Sequence, residues 1–351
     1  MGRLEAMEMV RLGLTETRFD EDPYNRAIEE IVVGLQQAET SAGTIAGRAL
    51  YDAIYPDHPY ARYALPATVQ KVTIEDAIAR RDAIMAKDNL LVTVVGDIAP
   101  DRLKTAMETT FADLPETSDV AEIEDVVLKP APAEPIVKEL PQPQSLVAFT
   151  APGFLRNDPD FFPAYVTNYI LGGGGFGSRL MDRIREEKGY VYSIRSHFSA
   201  RKHPGPFIVS LQTKNESALQ AIDETFAVIR QFIEEGATEA ELKAAKAYFI
   251  NSFPLRLVSN RDVAGMLPVL EFYELGLDYP DRYAGIIRAV TLEQVKAATK
   301  NHLKPDQFFQ VVVADLEKAG LASVPGAEPS SDRDSGQTTP EQSDAAAKTR
   351  E

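Results

Sequence analysis

Arg185 and Tyr192, seven residues apart, are two side-chain hydrogen-bond donors that the local sequence pattern can bring together. Between them, Lys188-Gly189 predicts a helix end, because glycine adopts the left-handed conformation that stops a helix without a Cβ penalty. Alternating residues over 190–198 then predict a strand that runs back beside the helix. The guanidinium and the phenol can therefore point into the same space. Both are protonated donors at neutral pH, suited to a peptide carbonyl and the oxyanion that develops from it.

The predicted helix that carries Arg185 is preceded by a run of four glycines. Ser178 occupies the N-cap position, and an apolar stripe follows at helical spacing. Gly172, Gly174 and Gly177 also fit the pattern G-x-G-x-x-G, which in dinucleotide-binding proteins follows a strand. Here the preceding residues 166–171 look helical, and no Lys-Ser/Thr follows. We therefore do not expect this glycine run to bind phosphate.

The stretch GGFGSRLMDRIREEKGYVYS resembles the second-domain signature of the pitrilysin/insulinase family of zinc metallopeptidases. Within that family it is most similar to the two-subunit branch that includes mitochondrial processing peptidase. The resemblance runs from about Phe19 to Asp315 and so covers most of the chain. It implies an α+β fold made of duplicated metallopeptidase-like domains, in which helices pack on an antiparallel or mixed sheet.

The resemblance also implies roles for individual residues. Arg185 and Tyr192 fall on an Arg and a Tyr, separated by six residues, that hydrogen-bond the substrate peptide in the family. The glycine loop would line the substrate chamber, which gives as candidate substrate-binding residues Gly172, Gly173, Gly174, Gly175 and Ser178. The alternative for the glycines is a turn required by packing. Arg179 and Arg195 lie nearby, and surface charge is the simpler interpretation of both.

The family's zinc site is H-x-x-E-H followed by a Glu on a later helix. None of the four histidines of this chain has a histidine partner at four-residue spacing; they are His58, His197, His203 and His302. Gly34 occupies the position expected for the later Glu, although Glu29 and Glu30 are close to it. We therefore expect no metal or cofactor in this chain, and zinc in a homologous partner subunit.

The composition narrows the possible partners. The chain has 351 residues, a formal net charge of −16 and no cysteine. The charge disfavours nucleic acid and anionic membrane surfaces, and the missing cysteines exclude disulfides and thiolate metal sites. No apolar run has the length of a membrane span. The N-terminal residues look like an amphipathic helix rather than a signal peptide, whereas the resemblance suggests export to the periplasm or cell envelope.

The order of the predicted elements divides the chain into four parts. Residues 1–113 form a partial first domain of helices with one strand at 90–95. Residues 114–143 are rich in proline and acidic residues and predict an extended linker. Residues 144–320 form a complete second domain, with helices at 160–171, 216–235, 239–252, 259–275 and 291–303, and strands at 146–150, 190–198, 206–213 and 308–313. Residues 321–351 predict a disordered tail.

An internal repeat supports the duplication. The segment VTIEDAIARRDAIMAKDNLLVTVVGD from Val72 aligns without a gap to VTLEQVKAATKNHLKPDQFFQVVVAD from Val290, 218 positions later. The first copy lacks the strands that open the second copy, so we expect the chain to begin inside its first domain. Apolar stripes around Met9, Leu12, Ile31 and Leu35 should then be partly exposed unless another chain covers them.

The sequence therefore predicts the non-catalytic subunit of a heterodimeric zinc-dependent peptidase. It would bind an unfolded peptide through Arg185 and Tyr192, while a zinc-bearing partner would carry out hydrolysis. Two alternatives stay open. One is a structural subunit without a peptidase role, because family relatives serve as core proteins of respiratory complexes. The other is a fragment of an active zinc endopeptidase.

Overall fold

The computed structural model describes residues 3–126, 134–325 and 327–328. Its helices are α1 (Arg3–Thr15), α2 (Glu21–Ala38), α3 (Ala42–Ile54), α4 (Pro66–Val69), α5 (Ile74–Ile84), α6 (Pro100–Thr110), α7 (Phe161–Asn168), α8 (Ala218–Glu235), α9 (Glu239–Ser252), α10 (Asn260–Phe272), α11 (Tyr279–Ala289) and α12 (Leu292–His302). Two segments are π-helical: Tyr169–Gly173, which includes the first two glycines of the run, and Met181–Glu187, which follows the run. Within the described residues, no helix is both long and apolar enough to cross a membrane.

The strands form one mixed sheet, which confirms the predicted α+β class. They are β1 (Ile136–Glu139), β2 (Gln144–Pro152), β3 (Val191–Phe198), β4 (Pro206–Lys214), β5 (Phe309–Ala314) and β6 (Ala327–Glu328), in the spatial order β3-β4-β2-β5-β1-β6. The pairs β3–β4, β4–β2 and β2–β5 are antiparallel, and β1 pairs in parallel with β5 and β6. Strand β3 therefore lies at one edge of the sheet.

The two faces of the sheet are covered by different halves of the chain. Inward-facing side chains such as Phe149, Phe207 and Ile194 pack under the helices of the second half in the main hydrophobic core. Helix α3 of the first half packs on the opposite face of the sheet. Its Leu50 and Ile54 form a second core cluster with residues of β2 and β5. Because both faces are buried, the central strands contain long apolar runs rather than alternating polar residues.

The helices begin where the sequence places their caps. Thr73 accepts a hydrogen bond from the Asp76 N–H at 3.1 Å, and the Asp76 carboxylate accepts one from the Thr73 N–H at 2.9 Å. This reciprocal pair is a capping box at the start of α5, as the spacing Thr73-x-x-Asp76 predicts. Thr291 and Gln294 repeat it at the start of α12.

The duplication extends further than the sequence alignment. Helices α2 and α9 begin 218 positions apart, α3 and α10 span equivalent residues at that offset, and so do α5 and α12. The short 3-10 turns Lys87–Asn89 and Pro305–Gln307 also correspond. The ungapped alignment of the two segments showed only the last part of this repeat. The earlier pairs of helices are buried to different extents and have few identical residues at equivalent positions.

Three predictions about individual elements need correction. Residues 90–95, predicted as a buried strand, form no strand, because no strand among the described residues pairs with them and the segment is largely exposed. The predicted linker contains β1, whose Val137 is fully buried, because the apolar pair Ile136-Val137 pairs with β5 despite its proline-rich flanks. Helix α11 was missed altogether; its Tyr283 and Ile287 are buried in the main core.

Parts of two predicted regions lie outside the described residues: 127–133 of the linker, and the predicted tail beyond 325 except 327–328. At the start of that tail, Leu321 is buried against the main core. In the first half, Met9 and Ile31 expose about half of their surfaces, as the apolar stripes predicted.

Candidate functional site

The turn at Gly189 sets the direction of the chain between the two candidate donors. Gly189 has φ +66°, the left-handed conformation that the sequence predicted. Its N–H donates to the Arg185 carbonyl at 3.0 Å, and the Tyr190 N–H donates to the Ile184 carbonyl at 3.1 Å. These bonds close the helical segment Met181–Glu187, which packs directly beside β3.

Tyr192 lies at a β-bulge. In the pairing of β3 with β4, Val191 lies opposite Thr213 and Ser193 lies opposite Gln212, so Tyr192 is the extra residue. A bulge leaves its extra residue out of the ladder and changes the direction of the side chain. The Tyr192 side chain is 51% exposed, and its hydroxyl has no hydrogen-bond partner in the part of the chain that the structure describes. The phenol is thus free to contact a ligand.

Arg185 differs from the other two arginines of its helix. Arg179 forms two hydrogen bonds with the Glu241 carboxylate, at 2.6 and 2.9 Å, and a third with the Gly236 carbonyl. Arg183 is paired with Glu187 and Glu224. The carboxylate nearest to Arg185 is that of its neighbour Glu186, at a loose 3.8 Å. Arg185 is therefore the guanidinium on this helix that has no tight ion pair.

Burial of Glu241 supports the structural role of Arg179. Desolvation alone would raise the pKa of this carboxyl, but hydrogen bonds from Arg179 and from Thr238 outweigh it, and the net shift of the pKa is downward. Arg179 thereby ties the end of α8 to the start of α9 and is not available for a substrate. Arg195, in contrast, is exposed on β3.

Phe176 is a site residue that the sequence analysis missed. It is 69% exposed, and the Arg185 guanidinium lies 4.8 Å from the centroid of its ring, within the range of a cation–π contact. An aromatic residue between two glycines (Gly175-Phe176-Gly177) has few neighbours to bury it, and this was the available signal. Phe176 holds the guanidinium at the surface beside the glycine run.

The glycine run is shaped mainly by close packing. A Cβ at Gly172 would lie 2.5 Å from the Ser196 hydroxyl oxygen, and one at Gly173 would lie 2.5 Å from the Asn168 side-chain nitrogen. Gly174 is equally restricted by the Tyr169 carbonyl, at 2.7 Å. Gly175 alone among the four has a positive φ, +62°. The geometry supports the packing interpretation for Gly172–Gly174 and a conformational requirement at Gly175.

Ser178 is buried, which argues against direct contact with a substrate. Its hydroxyl donates to the Gly175 carbonyl at 2.7 Å and does not cap the helix that follows. The predicted N-cap side chain therefore closes the glycine turn instead. The groove next to this turn has a volume of about 490 Å³ and is lined by residues that include Gly172, Gly173, Gly175, Ser193, Arg195 and Gln212.

His58 and His302 each have a polar partner within the chain. His58 accepts a hydrogen bond from the Tyr60 N–H at 3.1 Å, which places its ring in a local turn. Desolvation, followed by the nearby His203, lowers the pKa of His58. His302 lies 3.1 Å from the Asp160 carboxylate and, with Asp158, forms the group in the described residues whose potential metal-ligand atoms lie within 4.8 Å of one another. Asp158 accepts from the Asp160 N–H at 2.7 Å, so part of this group is occupied in closing a turn.

Residues 71–249 match the family model described as the peptidase M16 inactive domain. A Helicobacter pylori protein named non-peptidase homolog YmxG is 25% identical over 322 residues, which cover 90% of this chain and 73% of the relative. The matched segment includes Arg185, Tyr192 and the glycine run.

Solved structures agree with this match. The crystal structure of a peptidase M16 inactive domain from Pseudomonas fluorescens superposes with a TM-score of 0.80 and 29% identity, covering 89% of this chain and 74% of that one. A chain of complex III2 from Candida albicans superposes with a TM-score of 0.71 at 14% identity, covering 90% and 74%. At that identity the second likeness shows a shared fold only.

Proposed function

The chain belongs to the peptidase M16 inactive-domain family, and from this membership we propose that it is the non-catalytic subunit of a zinc-dependent peptidase. In this proposal a homologous partner supplies the zinc ion and the general base. This chain binds the unfolded substrate peptide through Arg185 and Tyr192. The name of the Helicobacter pylori relative, a non-peptidase homolog, supports a member that does not cleave peptides by itself.

The observation that carries the proposal is that both donors, on adjoining elements, lack a tight ion pair or hydrogen bond: Arg185 has only the loose 3.8 Å contact with Glu186, and Tyr192 is 51% exposed. Arg179 and Arg183 are held in tight ion pairs, whereas Arg185 rests on the exposed ring of Phe176. Tyr192 projects from a bulge on the neighbouring edge strand. A guanidinium and a phenol without tight internal partners can donate to a peptide carbonyl with little reorganisation. One such donor typically lowers an acyl-transfer barrier by roughly 2.7–4 kcal/mol.

The groove beside the glycine run gives an extended peptide a place to lie. Gly173 and Gly175 present backbone without side chains on one side, and Ser193 and Gln212 offer hydroxyl and amide groups on the other. Such a surface binds main chain more than particular side chains. Gly172 and Ser178, which are buried, act in this proposal by holding the glycine turn in shape.

A purely structural subunit is the second candidate function. The fold likeness to a chain of complex III2, by its name part of a multi-chain complex, is the observation in its favour. A structural subunit has no need of an arginine and a tyrosine that lack tight internal partners on adjoining elements. The two candidates therefore differ in what they expect from substitutions at these two residues.

The test uses the full chain, purified alone and together with a zinc-bearing M16 protein from the same organism. The chain alone should cleave no unfolded peptide. In the complex, Tyr192→Phe should lower turnover at least about tenfold, because the substitution removes a donor and little else. Arg185→Gln should have a similar effect.

Matched controls separate binding of substrate from general damage. Tyr248→Phe removes the hydroxyl of a similarly exposed tyrosine that stacks on Tyr169, and Arg183→Gln removes a paired arginine of the same helix. Both variants should keep turnover unchanged. Unaltered turnover in Tyr192→Phe and Arg185→Gln, with the complex intact in a pull-down, would refute the assigned roles and favour the structural subunit.

A further inference from the structure

A pocket of about 270 Å³ lies between α7 and the end of β3, beyond the groove beside the glycine run. All of its lining residues belong to the second half of the chain, between positions 154 and 273. Its walls are mainly aromatic, and the rings are those of Phe154, Phe161, Tyr165, Phe198 and Tyr273. Pockets for drug-sized molecules measure about 300–1,000 Å³, so this pocket fits a group about as large as a single residue.

Arg156 is the positively charged side chain in the wall of this pocket. Its guanidinium carbon lies 3.8 Å from the centroid of the Phe161 ring and 5.8 Å from that of the Tyr273 ring. Contact with rings holds a guanidinium in place but satisfies none of its five N–H donors. Within residues 3–126 and 134–325, the side chain forms one long hydrogen bond, 3.5 Å to the Tyr279 hydroxyl, and no ion pair. Most of its donors are therefore available to a ligand.

The acidic residues that follow Arg156 in the chain are engaged elsewhere. The Asp160 carboxylate lies 3.1 Å from a ring nitrogen of His302, and Asp158 accepts from the Asp160 N–H at 2.7 Å. The described residues that line the pocket include no Asp or Glu. Desolvation, followed by Arg195, lowers the pKa of the lining residue His197, which is therefore neutral at neutral pH. The pocket thus presents one partly buried positive charge without a counter-ion, in a chain with a formal net charge of −16.

The pocket adjoins the groove beside the glycine run. The Ser196 hydroxyl donates to the Asn168 side-chain oxygen at 2.7 Å, and both side chains are buried. Ser196 lines the groove and Asn168 lines the pocket, so this pair separates two neighbouring cavities. Along β3 the groove is lined by residues 193–196 and the pocket by 197–198. At about 3.3 Å per residue, a peptide extended along the groove reaches the pocket within a few residues.

We propose that this pocket binds the C-terminal residue of a peptide, with the free carboxylate on Arg156 and an apolar side chain among the rings. A carboxylate matches the planar fork of a guanidinium, which can donate two parallel hydrogen bonds to it. An acidic side chain would satisfy Arg156 equally well but would leave the aromatic walls without an apolar partner. The inference rests on the proposed function in one respect, which is that the ligand is a peptide.

The experiment measures fluorescence anisotropy of a peptide of alternating glycine and serine that ends in phenylalanine and is labelled at its N-terminus. The full chain should bind the free acid with a Kd below about 1 mM. The same peptide with a C-terminal amide should bind at least about tenfold more weakly, because it has no carboxylate to accept charge-assisted hydrogen bonds. Arg156→Gln should abolish this preference for the acid. The comparison of acid and amide on the unchanged chain needs no substitution, and circular dichroism checks that the variant is folded.

Arg201 provides the matched control. It also contacts two rings, those of Tyr51 and Tyr60, and donates to the Tyr51 hydroxyl at 3.1 Å, but it does not line the pocket. Arg201→Gln should therefore keep the preference for the acid.

The outcomes separate this inference from the proposed function. Equal affinity for acid and amide would overturn the inference and leave peptide binding by the groove in place. A preference for the acid that persists in Arg156→Gln, or that Arg201→Gln abolishes equally, would also overturn it. Binding of neither peptide would count against both proposals.

Discussion

The two copies of the repeat have matching local structure and different packing. Helices α5 and α12 span equivalent residues and carry the same capping box, yet α12 buries Val295, Ala298 and Thr299 whereas no residue of α5 is buried. The segments that follow differ more: 309–314 is the strand β5, and its counterpart is irregular and exposed. Local sequence thus sets helix ends, whereas neighbours in space decide whether a strand forms.

Residues 90–95, the strongest strand-forming stretch of the first copy, show that composition alone does not produce a strand. Leu90-Leu91-Val92-Thr93-Val94-Val95 has the β-branched composition of a buried strand. A strand exists only with a partner, because its backbone donors and acceptors are otherwise left to water. Its counterpart has two partners, one on each edge.

The largest difference between the copies should appear in a matched pair of core substitutions. Phe309→Ala should lower the free energy of unfolding by about 3–5 kcal/mol, because it empties a buried position between β2 and α3. Leu91→Ala at the equivalent position should cost about 0.5 kcal/mol or less, because that side chain is half exposed. Urea unfolding followed by circular dichroism measures both.

Equal costs for the two substitutions would contradict this comparison, since they would require Leu91 to be buried in solution. The position next to each provides a control. Val92→Thr and Gln310→Thr change partly solvated side chains and should both leave unfolding nearly unchanged.

The features of the fold that were predictable from the sequence are the local ones, and those that were not depend on contacts between distant residues. Caps at Thr73 and Thr291 and helical periodicity are local signals, and the helix boundaries of α8, α9 and α12 were predicted within about two residues. Strand β1 was hidden because its pairing with β5 joins residues far apart in the chain. The packing of α3 on the second-half sheet was equally invisible, since it depends on long-range geometry.

The local turn of the candidate site was predictable from the sequence, whereas the contacts that support it were not. The reversal at Gly189 is a local property of glycine, and it is present as predicted. The bulge at Tyr192 arises from the pairing of β3 with β4, and the contact of Arg185 with Phe176 arises from the packed glycine turn. The bulge has no sequence signature, and the position of Phe176 between two glycines signals an exposed ring but not its contact with Arg185. The roles of Arg185 and Tyr192 in binding a substrate stay predictions.

A smaller effect should follow from removing the two equivalent caps. Thr291→Ala and Thr73→Ala each delete a side-chain acceptor at a helix start, and each should cost about 1 kcal/mol of helix stability. Amide hydrogen exchange should show which helix loses protection when its cap is removed. In α12, which is packed in the main core, protection should fall modestly, whereas α5, with no buried residue, should exchange fast before and after the change. Strong protection of α5 in the unchanged chain would contradict the difference in packing.

The smallest effect concerns the junction between the copies, where His58 of the first half meets His203 of the β3–β4 loop. Their ring centroids are 5.3 Å apart, and the neighbouring Tyr55 hydroxyl donates to the Pro204 carbonyl at 2.7 Å. Desolvation, followed by His203 and Arg62, lowers the pKa of His58 in the folded chain.

The lowered pKa fixes the sign of the pH dependence. The unfolded chain binds more protons at His58 once the pH falls below about 6.5, so acidification through this range removes stability. His58→Asn abolishes this titration while its side-chain oxygen can still accept from the Tyr60 N–H. Between pH 7.5 and 5.5, the melting temperature of the variant should therefore fall less than that of the unchanged chain, by about 1–3 °C. Identical falls would mean that His58 does not contribute, and His197, whose pKa is also lowered by desolvation, would then be the histidine to substitute next.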